Sequence, residues 1–265
     1  MEFVDSIFRQ DTTIPEVADK TVASIVIPNT DFSIDLSTKV MQELKLAQPL
    51  SKSLMNGVWK LFEKRDQRIF YAHKEVNDGK QHYVPFKRSY FVLPQFLETL
   101  LLDLQPADNN NNRDAILDEY FPERAQMTSI HRAYFLEKLR EDTDCFCLLI
   151  ADFDLRCLFY IEPTCAEAFR SNDSERATHL CEVFNRFLDR NIEANLRGPF
   201  WPITRRFGNN VMKCPAQQTD FDSGMYVFLF VYYFVHDCPA IFDESDVTRM
   251  RKQLAYWLLK EYLPM

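Results

Sequence analysis

The side chains in this chain that could attack a substrate or shuttle a proton are few. The most suggestive group lies in CPAQQTDFDSG at 214–224. There Ser223 stands where a polar, turn-prone run meets the apolar block MYVFLFVYYFV. A hydroxyl at a loop-to-helix junction is either an attacking group or a cap that satisfies free backbone N–H groups of the helix. To attack, it needs a neighbouring base, and the natural base at neutral pH is an imidazole. None of the five histidines has a motif that aims it at Ser223. His236 follows along the same predicted helix, about 20 Å away at the standard rise. His73 and His82 fall in a strand-or-loop region, and His131 and His179 on predicted surface helices. The serine-hydrolase elbow G-x-S-x-G is also missing, because FDSGM lacks the first glycine. Cys145 and Cys147 form a bare C-x-C with no second pair at zinc spacing, so no metal site is expected. On one strand they share a side and behave as small core residues.

The elements that would position these groups follow from pattern. A chain of 265 residues suits one large domain or two small ones, and there is no internal repeat, linker or composition break. Residues 1–22 read as a loose arm and 23–265 as one α+β domain. SIVIPN at 24–29 is extended, and LSKSLMNGVWKLFEKR at 50–65 has the spacing of an amphipathic helix, capped by Ser51 or Ser53. Gln95–Leu104 and Ser129–Arg140 read as helices around a solvated loop, ADNNNNRD. CFCLLIAD and CLFYIE are short apolar runs between charged turns, hence consecutive buried strands. A helix over 174–194, a strand in NNVMKCPA at 209–216, a buried helix Gly224–Val235 and an amphipathic closing helix Glu244–Tyr262 complete the order.

Composition excludes several functions. With five glycines and no G-x-x-x-x-G-K or G-x-G-x-x-G, ATP and dinucleotide cofactors have no loop to hold them, and no cofactor is expected. A net charge of −8 argues against nucleic-acid binding, and the basic run KLFEKRDQR at 60–68 reads as a solvated helix face. No apolar run reaches the roughly 18 residues of a membrane span. Seven cysteines, an odd number, fit a reducing compartment, so the expected location is intracellular, nuclear or cytoplasmic.

CPAQQTDFDSG resembles the ubiquitin-like-protein proteases, the SUMO- and NEDD8-specific (Ulp/SENP-type, adenain-like) cysteine peptidases, whose segment runs P-Q-Q-x-N-x-x-D-C-G before a buried helix. Pro215, Gln217, Asp222 and Gly224 fall in register, with Gln217 at the glutamine that helps form the oxyanion hole. Ser223 takes the place of the cysteine. CFCLLIADFDLRCLFYIEP resembles the family's hairpin, with Cys145 where the histidine stands, Phe146 at the tryptophan, and Glu162 at the aspartate 17 residues after Cys145. PLSKSLMNGVWKLF is similar to the family's upstream helix start, with Pro49 replacing its tryptophan. The resemblance covers about 23–263 and implies a papain-like α+β fold with a central mixed β-sheet flanked by helices.

What the resemblance implies about activity is negative. The family's chemistry needs a thiolate, an imidazole and an orienting carboxylate, and losing nucleophile or base costs on the order of 10⁶ in turnover. Here the positions hold Ser223, Cys145 and Glu162, which describes a pseudoprotease. Ser223 is then expected to cap its helix, alongside Asp222. Pro49 and Phe146, in place of the tryptophans that sandwich the Gly-Gly tail of the modifier, argue against a narrow tail tunnel. Two classes of function remain: a protein-binding or scaffold subunit of a larger complex, with SUMO or another ubiquitin-like modifier as candidate partner, and residual or repurposed isopeptidase activity using Ser223 or Cys145.

Overall fold

A computed structural model describes residues 21–26, 33–45, 48–77, 88–92, 130–138, 144–155, 157–163, 203–204, 217 and 222–264. The predicted helices at Gln95–Leu104 and 174–194, the loop at 107–114 and the strand at 209–216 lie outside the described residues, as does most of the N-terminal arm. The arm's proposed end does not hold, because Thr21 and Val22 already belong to the first strand.

The described elements run β1 (Thr21–Val26), β2 (Ser33–Ser37), α1 (Thr38–Lys45), α2 (Lys52–Asn77), β3 (Arg88–Val92), β4 (Ile130–Lys138), β5 (Phe146–Asp152), β6 (Cys157–Ile161), β7 (Ile203–Thr204), α3 (Ser223–Val235) and α4 (Glu244–Lys260). β1 and β2 form an antiparallel hairpin. The other strands form a five-stranded mixed sheet in the order β3-β4-β5-β6-β7. Its two outer pairings are parallel and the inner ones antiparallel. This is the mixed sheet flanked by helices that the residues suggested.

Two expectations are overturned. Within the expected helix Ser129–Arg140, residues Ile130–Lys138 form instead β4, an interior strand of the sheet. Ala133, Tyr134, Phe135, Leu136 and Glu137 are all buried, because a central strand is covered on both faces and loses period-2 alternation. Such a run cannot be told from helix by periodicity, and its Tyr and Phe favour the strand. His131 therefore lies near the start of a strand, and His73 on α2 rather than in a loop. The second concerns 60–68, whose Arg65 and Asp66 are buried. Arg65 Nε donates to the carbonyl of Pro264 at 2.8 Å, and Asp66 accepts from Arg88 Nε at 3.0 Å and from the Ser89 amide at 2.9 Å. Burial pushes the Asp66 carboxyl up, partly offset by these donors.

α2 extends to Asn77, beyond the expected 50–65, and Ser51 Oγ accepts from the Leu54 amide at 3.3 Å to cap it. Its apolar side lays Trp59 and Phe62 on the sheet. Trp59 Nε1 donates to the carbonyl of Tyr134 at 3.3 Å. Phe62 stacks on Phe91, with centroids 5.4 Å apart, and meets Phe228 of α3 at 5.7 Å. The core is one continuous cluster between α2, α3, α4 and one sheet face, and that face carries Phe146, Leu148 and Ile150. α4 closes it and begins with a capping box in which Asp243 accepts from the Ser245 and Asp246 amides. Since Phe62 joins three elements at once, Phe62→Ala should destabilise by about 3–5 kcal/mol. Urea unfolding monitored by circular dichroism reads this, and a loss below about 1 kcal/mol would mean the aromatic bridge does not hold α3.

Candidate functional site

Ser223 is the first residue of α3, and the apolar run that follows forces its end of the helix inward. From Ser223 to Val231 every residue is buried. Gly224 permits this depth. A Cβ there would lie 3.1 Å from Leu50 Cβ, 3.2 Å from Leu50 Cγ and 3.2 Å from Met55 Sδ. Those separations are tighter than ordinary side-chain contact, so the helix start sits under Leu50 and Met55 only because position 224 has no side chain.

The Ser223 hydroxyl is 0% exposed and fully engaged. It accepts from the Phe146 amide at 3.0 Å and donates toward the Asp144 carbonyl at 3.5 Å. The expected helix cap is therefore wrong. Asp222 occupies the cap position with no side-chain cap bond, and Ser223 turns away from its own helix to tie α3 to the start of β5. The reason is that Phe146 N–H, the first of the strand, is buried and needs an acceptor.

The carboxylate of Asp222 is spent on a different task. It pairs with the Arg251 guanidinium, and the two are 5% and 4% exposed. The same guanidinium donates to the carbonyls of Glu43 and Gln48, each at 3.2 Å. Sequence reasoning missed this hub, although a signal was available. Val247, Arg251, Leu254 and Leu258 share one stripe of α4, and an arginine on an apolar stripe has to find a buried partner.

The remaining predicted residues are placed as follows. Cys145 precedes β5 and is half-buried, while Cys147 is buried within the strand, so the two are not equivalent core residues on one strand. Phe146 is wholly buried within the helix-packed core and presents no ring to a ligand. Pro49 is half-buried beside Leu50. Glu162 accepts from Tyr160 Oη at 3.2 Å. Gln217 is buried, and its amide donates to the Pro163 carbonyl at 2.9 Å, which brings it beside the end of β6. The structure thus gathers Ser223 with the backbone of Asp144–Phe146, and Gln217 with the Glu162–Pro163 corner.

No described histidine joins them. His131 pairs with Asp154 at 2.6 Å, and its carbonyl accepts from the Phe153 amide. It therefore sits beyond the far end of β5, about 20 Å from Phe146 at the strand rise. His236 ends α3, again about 20 Å from Ser223, and its Nδ1 faces the Tyr232 carbonyl. His73 lies about five turns of α2 past Met55, on the order of 27 Å. His82 and His179 lie outside the described residues. Cys147 is no substitute nucleophile. It alternates to the other face of the sheet, and its thiol donates to Glu137 Oε2 at 3.3 Å, an interaction that favours the protonated thiol. On that face, burial and the neighbouring Cys147 and Glu162 hold the Tyr160 phenol far above its usual range.

Residues 164–262 match the family model described as the Ulp1 protease family, C-terminal catalytic domain. This match lies in the C-terminal part of the chain, which resembles that family. No curated protein matches it. Of the solved structures, it is similar to the C-terminal Ulp1 protease domain in complex with Smt3, the yeast ortholog of SUMO. The two share 14% identity over 98% of this chain and 93% of that one, with a TM-score of 0.61. The Chaetomium thermophilum Ulp1-like SUMO protease catalytic domain matches at 14% identity over 100% and 89%, with a TM-score of 0.58. A SUMO protease Ulp1 whose catalytic cysteine is oxidised to a sulfenic acid matches at 15% identity over 98% and 93%, with a TM-score of 0.60. At these identities the structures establish the fold.

Two outcomes test the Ulp1-type elbow. Ser223→Ala leaves the buried Phe146 amide without its acceptor and should cost about 1–3 kcal/mol, with faster hydrogen exchange at that amide; unchanged exchange would show the tie is not formed. Arg251→Met strands a buried carboxylate and should cost about 3–5 kcal/mol, most of it recovered in the double variant with Asp222→Asn. A double-mutant cycle in guanidinium denaturation reads both terms, and additive losses would refute the pairing.

Proposed function

We propose that this chain is a catalytically inactive member of the Ulp1 protease family that acts as a protein-binding or scaffold subunit within a larger intracellular complex, with a ubiquitin-like modifier as its candidate partner. The observation that carries the reading is the state of Ser223. A serine nucleophile must give up its proton to a base as it attacks. The Ser223 hydroxyl instead directs its proton toward a backbone carbonyl, accepts from a backbone amide, and is shielded from solvent. A carbonyl oxygen cannot take that proton at neutral pH. Cys145, in the position the resemblance gives to the base, is a thiol, and the described histidines stand about 20 Å or more away.

The modifier is favoured over an arbitrary protein because one of the similar structures is a complex with the yeast ortholog of SUMO. Retention of a Ulp1-type fold with a rebuilt nucleophile position fits a domain kept for its surface. The purified chain is expected to leave a SUMO-type precursor uncleaved on overnight incubation, and Ser223→Ala should change nothing. Turnover abolished by Ser223→Ala or by Cys145→Ala would overturn the reading in favour of residual isopeptidase activity. Binding is read separately by pull-down with immobilised modifier against a surface-scrambled control, and equal capture would remove the modifier as partner.

A further inference from the structure

We propose that Gln48–Ser51 is a built-in plug over the nucleophile position, held shut by Arg251 and Glu43, so that no extended peptide segment reaches Ser223 unless this strap is displaced. The proposal builds on the non-catalytic reading and adds what closes the site. Three sets of contacts carry it.

The first is the seal. Leu50 is 0% exposed, and its Cβ and Cγ, with Met55 Sδ from α2, fill the space that a side chain at Gly224 would take. Gly224 follows Ser223, so the leucine packs on the helix start one residue from the hydroxyl, and Ser223 itself is 0% exposed. Phe146 lies buried below, with its amide bonded to Ser223. The hydroxyl is thus shut away from solvent, with backbone groups of Asp144 and Phe146 as its partners.

The second is the anchoring. A polar strap laid over an apolar floor needs its backbone groups satisfied, and here charged side chains do so. Arg251 donates to the Gln48 carbonyl at 3.2 Å on one side of the leucine. On the other side, the Glu43 carboxylate accepts from the Ser51 amide at 2.7 Å. Gln48 also donates its amide to the Glu43 carbonyl at 3.2 Å. The leucine is pinned from both flanks by groups from α1 and α4.

The third is the coupling of the strap to the elbow. Arg251 joins Gln48 and Glu43 to Asp222, the residue before Ser223. Lifting the strap removes the Gln48 carbonyl as an acceptor from a buried guanidinium, which resists opening more strongly than apolar contact alone would. A protein partner is accordingly engaged across the outer surface, without threading a thin tail to Ser223.

The test uses a reporter thiol. In the full chain carrying Ser223→Cys, alkylation by iodoacetamide is followed site by site by peptide mass spectrometry. Cys238, which is exposed, and Cys147, which is wholly buried, serve as the open and closed references. The plug predicts that Cys238 labels rapidly while the thiol at position 223 labels at least about tenfold more slowly. Adding Leu50→Ala should raise labelling at 223 by about tenfold while Cys147 stays protected. Labelling at 223 as fast as at Cys238 in the single variant would overturn the proposal, because the position would already be open. Continued protection after Leu50→Ala would overturn it as well. If Leu50→Ala also exposes Cys147, the sheet has opened and the milder Leu50→Val is judged by the same two criteria. Labelling reads the plug whatever partner binds, whereas Ser223-dependent turnover would defeat the non-catalytic reading.

Discussion

The buried pair between Arg251 and Asp222 is the constraint on which the rest of this arrangement depends. A guanidinium and a carboxylate, each about 5% exposed, persist in such a place only when their remaining hydrogen-bonding capacity is used. Arg251 uses it on the carbonyls of Glu43 and Gln48. Four segments distant in sequence are thereby fixed relative to one another: the end of α1, the residues before α2, the start of α3 and the middle of α4. The pair contributes geometry rather than a large net energy, because desolvation offsets much of its attraction.

Given that frame, the Ulp1-type elbow has little freedom. Gly224 lets the helix start slide beneath Leu50 and Met55, and the depth so gained brings Ser223 Oγ within 3.0 Å of the Phe146 amide. In an active protease the corresponding atom would have to be exposed and poised beside a base. Here the same depth gives it two backbone partners and no solvent. The location and bonding of Ser223 thus bear on its chemistry as much as its residue identity does.

Much of the architecture was legible in the residues because local pattern and burial agree there. The strands β5 and β6 are short apolar runs between charged turns, and α3 is a block too apolar to be anything but buried. The end of the polar run was legible too, since the buried helix begins at Ser223, one residue before the expected Gly224. β4 was misread because strands on both sides and covering on both faces erase the alternation that marks a half-buried strand. Arg65 and Asp66 were misread as solvent-facing because their partners, Pro264 and Arg88, lie elsewhere in the chain. The cap was misassigned for the same reason. Ser223 satisfies the rule for a helix start, yet an amide 77 residues upstream has the stronger claim on its oxygen.

That separation in sequence has a kinetic side. The contacts around the helix start join residues near 43–51, 144–146, 222–224 and 251, so no local segment can form them alone. Loop-closure entropy has to be overcome before any of these contacts rewards it, and sheets with parallel pairings such as β3 with β4 are slow for the same reason. The helix start therefore reaches its full set of contacts only when α1, β5 and α4 are all in place. Until Arg251 of α4 is in place, Asp222 lacks its guanidinium and the Gln48 carbonyl before Leu50 lacks its donor.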